Sequence, residues 1–401
     1  MTIQSGKLAT RLIRLQVGQE TTWGAVVPAT SVLMGISPTP QITPTVKAVA
    51  IDQQIGSLAP TYMSAQVEQG ATWDIKGTCT YEDMCYLMQS AYGAPTITAT
   101  GTKTITGNTQ ASPTVVTATA HGFITGQLVT ITGSNSTPSI NGTYAITRLT
   151  ANTFSIPVSV TVAGTAGSAV SATMWQYASP TTQVWNPLSL SMQLGDLVNP
   201  GVGLSGCLNQ TWNITATQQK ELTFTATGFG QTFSASQSLT AALNYRTVHP
   251  ILMAQALFYA DAAGAAPGTT AIANTLYSYQ VDGDTGLKPI YGAGNLGPID
   301  FSYDKQTLKV KLGLFYSPTL QTFFQTNWLT GLPVVTRFQA TAGALQFTHD
   351  FAGFVTSDPA VWGDSQSARV LEVELEAQVD STSSLANYSA FTLQNAVATL
   401  P

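Results

Sequence analysis

The 401-residue chain is long enough for two or three domains and a substantial core. Only 9% of its residues are Asp, Glu, Lys or Arg, and Ser, Thr, Gln and Asn carry the polarity instead. This composition fits either a crowded, neutral β-protein or a subunit covered largely by copies of itself, and the second is favoured because neutral surface gives up its water cheaply. The net charge of −5 argues against tight nucleic-acid binding, since phosphate neutralisation needs clustered Lys and Arg.

Cys79, Cys85 and Cys207 are odd in number and lack CxxC spacing, so neither a disulfide framework nor a zinc site is expected. No metal or cofactor is expected at all. The N-terminal "MTIQSGKLATRLIRLQVGQ" carries Lys7, Arg11 and Arg14 with no apolar run, which argues against an export signal. Gly35–Pro60 reads as a loop-like arm that orders on assembly.

A strand, "TWDIKG", leads into a helix that Thr80 caps, with Asp83 three positions on. Met84, Leu87 and Met88 form its apolar stripe, and Gly93 and Pro95 end it. Residues from about 101 to 173 then change character, being rich in Thr, Gly, Ser and Val with Lys103 and Arg148 as the only charges. Alternation in "QLVTITG" and "TYAITRL", with turns at "TGSNSTPS" and "NGT", predicts a small β-meander inserted into its surroundings.

Beyond the insert, alternation dominates. Leu188, Leu190, Met192 and Leu194 share one face, with Ser189, Ser191 and Gln193 on the other. Trp212, Ile214 and Ala216, then Leu222, Phe224 and Ala226, repeat the pattern. "ILMAQALFYA" (251–260) is too short to span a bilayer and contains Gln255, so no membrane insertion is expected. "TLKVKLGL" buries Leu308, Val310 and Leu312 and exposes Lys309 and Lys311. A second helix has Ser317 as cap, Pro318 in its first turn and a stripe of Leu320, Phe323 and Phe324, and it stops at Gly331 and Pro333. Finally, "VLEVELEAQ" buries Leu371, Val373 and Leu375 and exposes Glu372, Glu374 and Glu376. Period-two patterns of this kind are half-buried antiparallel strands, so the fold is mainly β.

The two helices occupy matching contexts. Each follows a strand and a glycine, Gly77 or Gly313, and Met84 and Leu320 each lie seven residues beyond that glycine. The pattern predicts a degenerate duplication of a strand–helix–strands unit. The boundaries expected are a first unit over 1–102 and 174–235, the insert over 103–173, and a second unit over 236–401.

Motifs that look chemical weigh little. "GVGLSG" (Gly201, Gly203, Gly206) fits a dinucleotide pattern but leads into a strand, so a loop is expected. "VDGDTG" sets Asp282 and Asp284 around a glycine without the rest of a calcium loop, and a turn is expected. His121, His249 and His349 are widely separated, and His349 and Asp350 point to opposite faces of one strand. The sequons at Asn135, Asn141, Asn213 and Asn387 read as incidental in a Thr/Ser-rich chain. No catalytic residues are expected, and the shortage of carboxylates disfavours glycoside hydrolysis. The Glu372, Glu374 and Glu376 stripe is either a solvated face paired with Lys309 and Lys311 or an acidic wall of a passage.

"ETTWGAVVPATS", the run "LSLSMQLGD … LSGCLNQTWNITATQQKELTFTATGFG", the strand "RVLEVELEAQVD" and the late "LQNAV" resemble tail tube (major tail) proteins of long-tailed bacteriophages. The insert, "TATAHGFITGQLVTITG … INGTYAITRLTANTFSI", resembles a small β-module of phage virion proteins likened to the first catalytic-cysteine half-domain of ubiquitin-activating enzymes. That likeness implies no ubiquitin chemistry, because the insert has no cysteine.

The resemblance implies tandem tube-type β-sandwich domains, each with one flanking helix, plus the small all-β insert. It implies a non-enzymatic virion protein, assembled in the host cytoplasm into stacked rings. Three chains would supply six tube domains, with a hexamer of chains as the alternative. Glu372, Glu374 and Glu376 would then face a lumen that conducts DNA, where like charge prevents sticking. Implied partners are further copies, the tape measure protein and DNA transiently in the lumen, and tail terminator and tip proteins. The other reading is a decoration or receptor-binding virion protein whose insert binds a surface ligand.

Overall fold

A computed structural model describes residues 13–36, 40–51, 63–180, 188–196, 201–243, 245–359, 362–365, 368–383, 385 and 387–397. The chain is mainly β, with two α-helices among the described residues. It begins with β1 (Arg14–Gln19), β2 (Ser31–Val32), β3 (Gln41–Ile51), β4 (Met63–Thr78), α1 (Met84–Tyr92) and β5 (Thr96–Thr98). The insert supplies β6 (Gly101–Thr104), β7 (Gly107–Asn108), β8 (Thr114–Thr117), β9 (Leu128–Thr132), β10 (Gly142–Ala145), β11 (Thr147–Arg148), β12 (Thr153–Ile156) and β13 (Ser168–Ser171). The body resumes with β14 (Thr173–Ala178), β15 (Leu190–Gly195), β16 (Gly201–Thr217), β17 (Thr223–Gly230), β18 (Thr232–Gln237), β19 (Ala256–Ala262) and β20 (Leu276–Asp284). It ends with β21 (Leu287–Ile290), β22 (Asp300–Tyr303), β23 (Thr307–Phe315), α2 (Pro318–Thr330), β24 (Val334–Ala342), β25 (Leu345–Val355), β26 (Trp362–Ser365), β27 (Ala368–Ala377) and β28 (Ser389–Asn395).

Two antiparallel sheets enclose the main core. The first runs β3-β4-β17-β16-β20-β23-β27, and the far side of β27 takes β26 and the last residues of β25. The second runs β5-β14-β28-β25-β24-β19. Aromatic rings join the two: Trp212 meets Phe391 at 5.6 Å, and Tyr279 stacks on Phe338 at 4.5 Å. A third layer, β2-β1-β15 with the first half of β16 and β18, covers α1 and its surroundings.

That layer corrects the reading of 188–194. Ser189, Ser191 and Gln193 are not a solvated face; all three are buried. Both serine hydroxyls donate to the Glu20 carboxylate at 2.7 Å, and Gln193 accepts from the Thr240 N–H at 3.2 Å. "GVGLSG" is strand as well, not loop. Bare glycines let it lie tightly there: a Cβ on Gly201 would fall 2.0 Å from the Leu194 oxygen, and Gly206 has φ +67°. Asp282 and Asp284 belong to β20 and not to a turn. Gly35–Pro60 is not loop throughout, since Gln41–Ile51 is a strand; residues 37–39 and 52–60 lie outside the described residues.

The Thr80 hydroxyl accepts the Asp83 N–H at 3.0 Å, in the turn that opens α1. α2 begins at Ser317–Pro318 and ends at Gly331 in the left-handed conformation, φ +67°. All nine residues of α1 are buried, whereas α2 buries only Leu320, Phe324 and Asn327, with Phe323 partly covered.

The matching contexts of the helices extend to topology. β4 lies between β3 and β17, and β23 lies between β20 and β27. After each helix comes an antiparallel pair, β5/β14 or β24/β25. The glycine alignment itself does not hold in the sheets: Gly313 lies on the same sheet face as Lys309 and Lys311, but Gly77 lies on the opposite face from Lys76, so the two glycines are not equivalent positions. Each glycine is bare for its own reason: a Cβ on Gly77 would strike the Gly35 oxygen, and one on Gly313 would strike Ser278 and Tyr277.

The pair β24/β25 closes through Gly343, φ +62°, while its counterpart β5/β14 opens at the same tip into the insert. The insert has two four-stranded sheets, β10-β9-β13-β6 and β11-β12-β8-β7, and a core of its own around Val116, Phe123, Ile131, Ile140 and Phe154. Its strands begin at Gly101, two residues before the expected 103, and Thr173 already belongs to β14. Gln394 clamps it to the body, its amide accepting from the Leu128 N–H at 2.7 Å and donating to the Leu128 oxygen at 2.6 Å. Deleting residues 103–172 is expected to cost the body about 1 kcal/mol, or about 2–4 °C in Tm, as Gln394 turns to water. Thermal unfolding of the deletion variant checks this; loss of a cooperative transition would make the insert part of the body's core.

Candidate functional site

The outer face of the first sheet gathers most of what the sequence singled out. Alternation sends Trp73, Trp212, Ile214, Val281, Val310 and Val373 inward, and the intervening residues form one polar surface. Register places Glu376, Lys309, Asp282, Asn213, Thr225 and Lys76 in one cross-strand row. The next row holds Glu374, Lys311, Gln280, Thr215 and Thr223.

Glu372, Glu374 and Glu376 therefore share a face, and the lysines interleave with them. Lys309 Nζ lies 3.3 Å from Glu374 Oε1 and 3.9 Å from Glu376 Oε2, and Lys311 Nζ lies 3.8 Å from Asp282 Oδ2. Asp282 also accepts from Asn213 Nδ2 and, at 2.9 Å, from Gln280 Nε2. These pairs are half-exposed, so each is worth only about 0.2–1 kcal/mol. Their main effect is to hold the side chains flat along the sheet.

The face divides into two sectors. Threonines 211, 215, 223, 225 and 227 make the β16–β17 sector neutral, whereas charge concentrates on β20, β23 and β27. Carboxylates (Asp74, Asp282, Asp284, Glu372, Glu374, Glu376) outnumber lysines (Lys76, Lys309, Lys311), which leaves the face net acidic. A shallow cleft of about 340 Å³ beside Gly313 is edged by Tyr277, Lys311, Glu372 and Glu374. Partial burial and the nearby Glu372 carboxylate raise the Tyr277 phenol above its ordinary range.

The histidines lie at three unrelated places. His121 is buried in the insert, accepting the Phe123 N–H at Nδ1 (3.0 Å) with Nε2 3.1 Å from the Thr150 oxygen. His249 Nδ1 sits 2.9 Å from Glu82 Oε1 beside α1. His349 is fully buried and stacked on Phe391 at 4.0 Å. It bridges the Tyr279 hydroxyl at Nδ1 and, at 2.9 Å, the Ser389 hydroxyl at Nε2; Ser389 in turn meets the Tyr92 hydroxyl at 3.1 Å. Asp350 points the other way, as its place in the strand requires, and takes a bidentate contact from Arg337 at 2.6 and 2.8 Å.

The Tyr279–His349–Ser389–Tyr92 chain contains a Ser–His pair that sequence spacing could not show, because 40 residues separate its members. Ser389, His349 and Tyr279 are all buried, so no substrate reaches the hydroxyl. The chain is a cross-brace of the core. Buried polar groups elsewhere also brace layers: Asp83 accepts from the Met34 and Gly35 N–H groups at 2.8 and 3.1 Å and pairs with Arg246 at 3.2 Å. Cys79, Cys85 and Cys207 are buried and unpaired, and burial pushes the Cys85 thiol up to about 12.

Among the described residues no three His, Cys, Asp or Glu side chains converge as a metal ion would need, and no helix is long and apolar enough to cross a membrane. No protein-family model matches the chain, and no curated protein matches its sequence.

Proposed function

We propose that this chain is a self-assembling structural subunit of a phage-type tail tube, in which the polar outer face of the first sheet lines the conduit. The β3–β4 ribbon carries this reading. It extends past the body with both faces uncovered: Val46 is 59% exposed, Val49, Met63 and Val67 are exposed as well, and β3 has no partner on its outer side among the described residues. A lone two-stranded ribbon is marginal in water, and an open apolar edge invites pairing. Further copies of the chain are the natural cover, in keeping with a sequence so poor in charge.

The lining would be net acidic yet partly neutralised by Lys309 and Lys311, with a threonine sector beside each charged one. Such a wall repels phosphates without offering them an anchor. Two like units per chain favour three chains per ring, with the tape measure protein and then DNA passing through the lumen. Terminator and tip proteins would close the ends.

Electron microscopy of the purified protein across a concentration series tests the reading, with stacked rings or hollow tubes expected. Val46→Ser with Val49→Ser is expected to raise the concentration needed for assembly on the order of 10- to 100-fold while the monomer's Tm holds. A compact monomer at every concentration would defeat the proposal. It would favour the decoration or receptor-binding reading, which the separate core of the insert and its place at a hairpin tip support.

A further inference from the structure

We infer that neighbouring copies join in the same way as the two units join within one chain, with β26 of one copy beside β3 of the next and α2 covered by that next copy. This inference rests on the assembly reading above and specifies the contact that the reading needs.

Inside the chain the joint is explicit. β16, which flanks β17 of the first unit, pairs along Thr211–Thr217 with β20, the first strand of the second unit. β20 stands to β23 as β3 stands to β4, and β26 stands to β27 as β16 stands to β17. One chain thus spends one such joint and leaves its two halves open: β3 at one end of the sheet and β26 at the other, neither with an outer partner among the described residues. Copies placed edge to edge match these strands and continue the sheet.

The helices record the same relation. The segment that leads from the first unit to the second crosses back over α1: Arg246 pairs with Asp83 and lies over the Tyr86 ring at 4.8 Å, the Tyr81 N–H donates to the His249 oxygen at 3.1 Å, and the Ile251 N–H donates to the Cys79 oxygen at 2.9 Å. Together with the covering layer, this segment leaves α1 buried. α2 has no such cover and shows an apolar surface, with Leu329 72% and Leu332 50% exposed beside the half-buried Phe323 and Trp328. If the relation repeats between copies, this helix is the face that the next copy covers.

Two measurements decide the matter. A density map of assembled rings is expected to show β26 of one copy antiparallel to β3 of its neighbour, with polypeptide over α2. Leu329→Glu with Leu332→Glu is expected to raise the assembly concentration on the order of 10- to 1,000-fold, with circular dichroism and Tm of the monomer unchanged because both side chains are already in water. Rings in which the outer edge of β3 is bare, or which form as readily from the double variant, would overturn the joint while leaving the tube reading intact. Failure of the unaltered protein to form rings at all would overturn both.

Discussion

Replacing Glu20 by alanine is expected to destabilise the chain by about 3–5 kcal/mol, the usual cost of taking one partner out of a buried charged network. The Glu20 carboxylate is buried and accepts four hydrogen bonds: from the Ser189 and Ser191 hydroxyls at 2.7 Å each, the Gly206 N–H at 2.8 Å and the Gly24 N–H at 2.9 Å. These donors come from β15 and the residue before it, from β16 and from the turn after β1, so one side chain ties three parts of the covering layer together. Alanine would leave all four donors without an acceptor in a place water does not reach. Glu20→Gln should recover only part of the loss, since its amide NH2 would face donors where an oxygen now accepts. Urea unfolding of both variants checks the order. Equal stability of Glu20→Ala and the unaltered chain would mean that water enters the site freely. Because this layer also covers α1, faster amide exchange at Met84–Tyr92 should accompany the loss.

How far the sequence was legible depends on which faces meet water. The strands at 307–314 and 370–377 were readable in detail because one face of each is solvated, so alternation in polarity reports alternation in burial. The same alternation misled at 188–194, where the serine and glutamine face is covered by a layer whose carboxylate lies about 170 residues away in sequence. Periodicity tells which residues share a face, not whether water is on it. The candidate site divides in the same way. That Glu372, Glu374 and Glu376 share a face, with Lys309 and Lys311 opposite, follows from local pattern. That Asp282 and Asn213 complete the row depends on which distant strands become neighbours, and no local signal carries that. The glycine motifs failed for a related reason: Gly201 and Gly203 resemble a loop until the close approach of Gly195 and Gln237 is seen.

Acidification is expected to expose the cost of the core's cross-brace. Burial lowers the His349 imidazole to about 3 from an ordinary value of 6.5, so the folded chain holds it neutral. The unfolded chain binds a proton there below pH 6.5 while the folded chain does not until near pH 3. Stability from this group is therefore complete above pH 6.5 and falls as the pH drops, by about 3 kcal/mol at pH 4. No carboxylate compensates at the ring: its partners are the Tyr279 and Ser389 hydroxyls, and the Asp350 carboxylate is engaged by Arg337 on the far side of the strand. His349→Gln offers the same two contacts from an amide that does not titrate. It should cost about 1–3 kcal/mol at pH 7 through imperfect geometry and yet flatten the decline between pH 6.5 and 4. Denaturant midpoints for both proteins at pH 7, 5.5 and 4 give the comparison. Parallel pH profiles would show that His349 takes up its proton at the same pH in the folded and unfolded chains, and below that pH the Tyr279–His349–Ser389 chain would have to be redrawn with an imidazolium donating from both nitrogens.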